Sequence, residues 1–135
     1  MRVKRFGVSM EEELLKAFDL IIDRKGYTSR SEAIRDLIRK NLIEDRWEKG
    51  EGRIGILVIV YDHRKRELSS RILRESHHHH HLVIATLHVH LDRNNCLEVN
   101  ILKGEPSKIR TLSETLIATR GVKYGRFIPA APGEL

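Results

Sequence analysis

Cysteine is almost missing from this chain. Its 135 residues contain only Cys96, so no intrachain disulfide can brace the fold. No apolar run is long enough to span a bilayer, which excludes a helical membrane anchor on pattern alone. The opening Met1-Arg2-Val3-Lys4-Arg5 leads into alternating and then helical sequence with no apolar core of a signal peptide, so the cytoplasm is the expected location. What is present suits one medium domain or two small ones, because 40% hydrophobic residues suffice for real cores. A formal net charge of +6 favours a polyanionic partner, with nucleic acid ahead of an acidic membrane surface.

The densest chemistry lies between His77 and Cys96, HHHHHLVIATLHVHLDRNNC, which holds seven of the eight histidines and the lone cysteine. From Val83 to Leu91 the odd positions are Val83, Ala85, Leu87, Val89 and Leu91, and the even ones include His88 and His90. That alternation reads as a strand with one apolar face and both histidines on the other. Asp92 to Asn95 is a turn, after which Leu97, Val99 and Ile101 carry the apolar face and Cys96 takes the opposite parity. For the apolar faces to coincide in a hairpin, Leu91 is expected to pair with an odd-numbered residue such as Leu97, with Cys96 opposite His90. Two imidazoles and a thiol then share one patch, a donor set that suits Zn, Cu or Ni. A fourth ligand is expected from the run His77 to His81, in the same chain or a partner chain, with the rest of the run in a solvated loop.

Earlier in the chain, residues 3–10 alternate Phe6 and Val8 with Arg5, Gly7 and Ser9, as one short strand would. Leu14, Leu15, Phe18, Ile21 and Ile22 then recur at helical spacing up to a stop at Gly26. Ser29 and Glu32 form a Ser-x-x-Glu capping box for a second amphipathic helix ending near Trp47. A lone strand is unstable, so this strand-helix-helix unit, residues 1–49, calls for a second copy whose strand pairs with its own. Residues 50–53, GEGR, read as a hinge. Residues 54–130 follow the order βαββαβ: a buried strand, a helix over KRELSSRILRE, the hairpin, a helix opened by Pro106 with Ile109, Leu112 and Leu116 inward and Gly121 as its stop, and a last strand from Val122 to Ile128. Both helices are expected on one sheet face, leaving the face with His88, His90 and Cys96 to solvent or another subunit. Residues 131–135 are a tail. The expected class is therefore α+β.

The segment VKRFGVSMEEELLKAFDLIIDRKGYTSRSEAIRDLIRKNL resembles a ribbon-helix-helix DNA-binding domain. Followed by a hinge, a ferredoxin-like (ACT-like) βαββαβ domain and LHVHLDRNNCLEV, it resembles the nickel-responsive transcriptional regulators across nearly the whole chain. The resemblance implies a homotetramer, a dimer of dimers with the βαββαβ domains at its centre. It implies one Ni(II) per subunit in a square-planar site of His88, His90 and Cys96 with His77 of a neighbouring chain; His77 matches by lying eleven residues before His88. On double-stranded DNA the ribbon would present Arg5, Gly7 and Ser9 to the major groove. Ser9 also stands where it could cap a helix with Glu12, and Gly7 departs from the hydrogen-bonding side chain common in the family. Backbone amides near Ser29, Arg30 and Ser31 would hold a phosphate, and Lys65 and Arg66 match basic residues that touch DNA outside the ribbon. Glu32 and Asp36 match a secondary cation site that Arg35 and Arg39 could instead neutralise, and His63 reads as a surface histidine.

The expected function is a nickel-dependent repressor acting on nickel-uptake genes through a pseudo-palindromic operator. Two rivals carry different signatures. An enzyme using Cys96 and His90 as nucleophile and base lacks an evident oxyanion loop or orienting acid in the sequence. A DNA-binding protein whose ACT-like domain senses an amino acid would hold a structural zinc that leaves DNA binding unchanged.

Overall fold

The computed structural model describes residues 2–64, 74–75 and 81–131. They form two compact units, Met1–Lys40 and Asn41–Leu135. The division falls inside the second helix, ahead of the hinge expected at 50–53. That segment is packed rather than loose. Gly52 is buried so tightly under the Trp47 indole that a Cβ there would meet ring carbons at 2.3 Å.

In the first unit, α1 spans Glu12–Lys25 and α2 begins at Arg30 and runs to Glu48. Acids in the first turn and Arg24 and Lys25 in the last complement the helix dipole of α1. Gly26, at φ +77°, takes the left-handed cap that glycine adopts without a Cβ penalty. The N-cap of α1 is Glu11, without a side-chain cap bond, so Ser9 does not cap it. The capping box of α2 is half as expected: Ser29 Oγ accepts from the Glu32 amide at 3.2 Å, but the Glu32 carboxylate reaches Thr28, accepting from its hydroxyl at 2.6 Å. Residues 2–11 carry no strand pairing. A ribbon strand gains its hydrogen-bond partner only from a second copy, so the expected strand does not form in one chain.

The second unit is a four-stranded antiparallel sheet in the order β2-β3-β1-β4, built from β1 Ile54–Asp62, β2 Val83–His90, β3 Asn95–Lys103 and β4 Val122–Ala130. Helix α3, Pro106–Ile117, opens on Pro106 and buries Ile109, Leu112 and Leu116 as the sequence pattern requires. It ends at Ala118, so Gly121, at φ +100°, serves the turn into β4 rather than the helix stop. The core joins these three side chains to Leu57, Ile59, Leu102 and Trp47. Each such buried side chain contributes about 1.5–3 kcal/mol of transfer free energy. Trp47 packs edge-on against Phe127 at 5.1 Å and donates its indole N–H to the Ala130 carbonyl at 3.1 Å. The helix expected between β1 and β2 lies outside the described residues, save Arg74 and Glu75, as does most of the tail.

Candidate metal centre and DNA-contacting segment

Strand register builds the candidate centre. Tyr61 of β1 stands opposite Cys96 of β3, and Cys96 stands opposite His90 of β2. The next row across the same face is Ile59, Glu98, His88, and the one after it Leu57, Asn100, Thr86. His90 and Cys96 therefore meet as the parity of the hairpin requires. The expected Leu91–Leu97 pair does not form: Leu97 faces Val89, and the Leu91 amide bonds the Asn95 carbonyl at 2.9 Å across a tighter turn. Asp92 fixes that turn by accepting from the amides of Asn94 and Asn95 at 2.8 and 2.9 Å.

The face assignment is reversed from expectation. Because directly paired residues share a face, His88, His90 and Cys96 lie on the side of Leu57, Ile59 and Leu102, the side that α3 covers. The apolar alternation of Leu87, Val89, Leu97 and Val99 lies on the other, open side. A bulge between Val83 and Ala85 also breaks the uniform parity of β2, putting Val83 opposite Leu102 and Ala85 opposite Ile101.

Within the centre, the Cys96 thiol is buried and lies 3.6 Å from His90 Nδ1. Burial first, then the charge of Glu98, pushes that thiol above its ordinary value. His88 Nε2 lies 2.7 Å from Glu98 Oε2 and 2.9 Å from the Tyr61 hydroxyl, which donates to the same carboxylate oxygen at 3.2 Å. Desolvation, followed by the charges of Glu98 and Cys96, drives the Tyr61 phenol far above its usual range. Asn100 Nδ2 donates to Glu98 Oε1 at 3.1 Å, and Thr86 Oγ1 donates to Asn100 Oδ1 at 2.8 Å. His63 is not a loose surface residue: its Nε2 donates to the Arg93 carbonyl at 2.7 Å and its ring meets His90 edge-on at 5.2 Å.

No cluster of three or more His, Cys, Asp or Glu closes around a metal position among the described residues. His77 lies outside them. The donors present nevertheless fit a soft or borderline cation. A buried thiol adjoins one imidazole, a second imidazole stands two residues along the same strand face, and a buried carboxylate backs the set. Glu98 and Tyr61 escaped the sequence reading. Glu98 had a visible signal, being a charged residue on the Cys96 parity of a strand otherwise apolar on alternate positions; Tyr61 had none until the β1 register was known.

On the first unit, Arg5, Gly7 and Ser9 are all exposed. A Cβ at Gly7 would meet nothing within 4 Å, so no local crowding demands glycine there. Ser29 and Ser31 are exposed at the start of α2, but the Arg30 side chain is held by Asp19 in two bonds of 2.9 and 2.8 Å. The phosphate contact expected here is through backbone amides, which this side-chain pair does not involve. Lys65 and Arg66 lie outside the described residues. Glu32 and Asp36 line one open cavity of about 330 Å³ with Tyr27, Arg35 and Arg39. Tyr27 donates its hydroxyl to Asp36 and Thr28 bonds Glu32, so both carboxylates already have partners.

These features define a two-unit α+β chain, a helix pair followed in sequence by a four-stranded antiparallel sheet that carries a thiol-imidazole centre. The model of the NikR C-terminal nickel-binding domain matches residues 54–129, and that of the ribbon-helix-helix protein, copG family, matches residues 4–45. A relative from Desulfovibrio desulfuricans is 53% identical over 130 residues, 96% of this chain and 94% of its own. One from Geobacter sulfurreducens is 48% identical over 131 residues, again covering 96% and 94%. Both bear the name "Putative nickel-responsive regulator". The fold is shared with uncharacterized protein TM1266 from Thermotoga maritima, at a TM-score of 0.55 and 21% identity over 60% of this chain and all of that one. The chain belongs to the nickel-responsive regulator family, a family of DNA-binding transcriptional regulators and not of enzymes.

Proposed function

We propose that this protein is a nickel-dependent repressor of nickel-uptake genes, acting in the cytoplasm as a homotetramer on a pseudo-palindromic operator. The observation that carries the metal half is the cross-strand row of His90 and Cys96, with His88 on the same face. One Ni(II) per subunit would be held by His88, His90 and Cys96 with His77 of a neighbouring chain. Thiolate and imidazole are strong-field donors that favour a planar d⁸ ion, whereas Zn(II) draws the same ligands toward a tetrahedron. Bound nickel supplies a cross-link between chains. Arg5, Gly7 and Ser9 would face base edges in the major groove, the amides near Ser29 to Ser31 a phosphate, and Lys65 and Arg66 the flanking backbone. Glu32 and Asp36 would hold a secondary cation, between domains, only with further ligands, because Tyr27 and Thr28 already donate to them and Arg35 and Arg39 line the same cavity.

Assembly has its own support. A cavity of about 860 Å³ in the first unit, lined by Val3, Phe6, Val8, Phe18, Ile34 and Ile38 but also by basic and hydroxyl side chains such as Arg5, Ser9 and Arg35, is what a second ribbon and its helices would fill. By linkage, if nickel tightens operator binding then operator tightens nickel by the same factor.

The test is an absorption titration of metal-free protein with Ni(II), beside Cys96→Ala, followed by selection of DNA from a random pool with and without nickel. Planar-nickel bands saturating at one metal per chain, absent in the variant, and nickel-dependent enrichment of an inverted repeat are expected. Stoichiometric zinc without nickel bands, and DNA binding indifferent to metal, would sink the proposal in favour of a structural zinc.

A further inference from the structure

Among the described residues, the buried carboxylate behind the candidate donors is densely bonded. Glu98 is 3% exposed, yet its carboxylate accepts from three side chains: His88 and Tyr61 at Oε2, and Asn100 at Oε1. A buried carboxylate is retained at such cost only where donors are arranged around it. Asn100 is itself oriented by Thr86, so the acceptor is held from the core side by a chain of bonds that starts on β2 and returns to it.

That arrangement decides which nitrogen of His88 is available. A carboxylate oxygen 2.7 Å from Nε2 repels a bare lone pair and requires a proton there. Tyr61 donates its hydroxyl to the same oxygen, so its own oxygen, 2.9 Å from Nε2, also faces that nitrogen as an acceptor. A neutral imidazole protonated at Nε2 has Nδ1 bare, and only a bare nitrogen ligates. We propose that Glu98 is a positioning residue that locks His88 in the Nε2–H tautomer, so that Nδ1 is the atom His88 gives to the metal. The inference rests on the nickel reading for the identity of the ion, but not for the lock itself.

The closing experiment separates the two. In metal-free protein at pH 8 with ¹⁵N-labelled histidine, the His88 ring, assigned by its loss in His88→Gln, is expected to show a slowly exchanging proton on Nε2 and a bare Nδ1. Glu98→Gln keeps an acceptor oxygen and should preserve both that signature and nickel affinity to within a few-fold. Glu98→Leu should lose the protected Nε2 proton and weaken nickel about 10–100-fold, the range for removing the outer partner of a ligating histidine. A wild-type His88 protonated at Nδ1, or a folded Glu98→Leu that binds nickel as the wild type does, would overturn the proposal. If Glu98→Leu does not fold, the wild-type ring and Glu98→Gln decide it. Wild-type protein that shows the lock but takes up no nickel would refute the choice of metal and uphold the hold of Glu98 on His88.

Discussion

At the scale of single residues, the two halves of the protein respond to substitution in different ways. Arg5 is exposed on a ribbon segment with no packing role in its own chain. If it pairs with a guanine, Arg5→Ala should cost about 1–3 kcal/mol of operator binding and relax the preference at one base position, leaving the unfolding midpoint unchanged. Fluorescence anisotropy at fixed salt with single-base operator variants reads this, and a uniform loss over all sequences would make Arg5 a phosphate contact. Gly55 is the opposite case. A Cβ there would sit 2.2 Å from two ring carbons of Phe127, whose ring is braced by Trp47. Gly55→Ala should therefore destabilise the second unit by about 1–3 kcal/mol, the usual cost of overpacking, measured by urea unfolding followed at Trp47 fluorescence. Part of the centre was legible at this scale: alternation put His88, His90 and Cys96 on one face, while the tighter turn, not the expected Leu91–Leu97 pair, set His90 against Cys96. Its outer partners were not, because Tyr61 enters through a strand more than thirty residues upstream, and only backbone register shows which of its faces meets β3.

At the scale of elements, helix starts and stops followed local chemistry, and misplacements arose where a tertiary partner decided. The α1 stop at Gly26 and the α3 start at Pro106 were local signals, and both held. The sheet face was not local. β1 is apolar at every position from Ile56 to Val60, so hydropathy could not say which side α3 covers, and the apolar side of the hairpin proved to be the open one. One polar link between α1 and α2 is the Asp19–Arg30 pair. The Arg30 hydrogen bond holds the Asp19 carboxyl below its ordinary value, with the guanidinium charge adding to it. A depressed folded value means stabilisation that is complete above the unfolded carboxylate value, about 3.9, and is lost as pH falls through the folded value. Asp19→Asn should accordingly be slightly less stable than the parent at pH 7, with the gap closing toward pH 3. Urea midpoints at the two pH values check it, and a gap that widened in acid would mean the pair is not a stabilising link between the helices.

At the scale of the whole molecule, the sheet carries an apolar face that α3 does not cover and that is exposed among the described residues. Register puts Leu87 and Val99 beside Val58, and Ile101 and Ile128 beside Ile56, all on that side. Leu87 is 60% exposed, Ile101 40% and Ile128 43%. A contiguous patch of this kind marks an interface more often than a solvated surface, and an isologous pairing of sheet faces would join two ribbon dimers into the proposed tetramer. Because Leu87 and Ile101 are exposed within their own chain, placing lysine at both should leave the fold intact while burying charge in the assembly, which is strongly unfavourable without partners. Leu87→Lys combined with Ile101→Lys is expected to sediment as two chains where the parent sediments as four, with unchanged far-UV circular dichroism. A variant that still sediments as four chains would assign the tetramer contact elsewhere and leave the open face without its proposed partner.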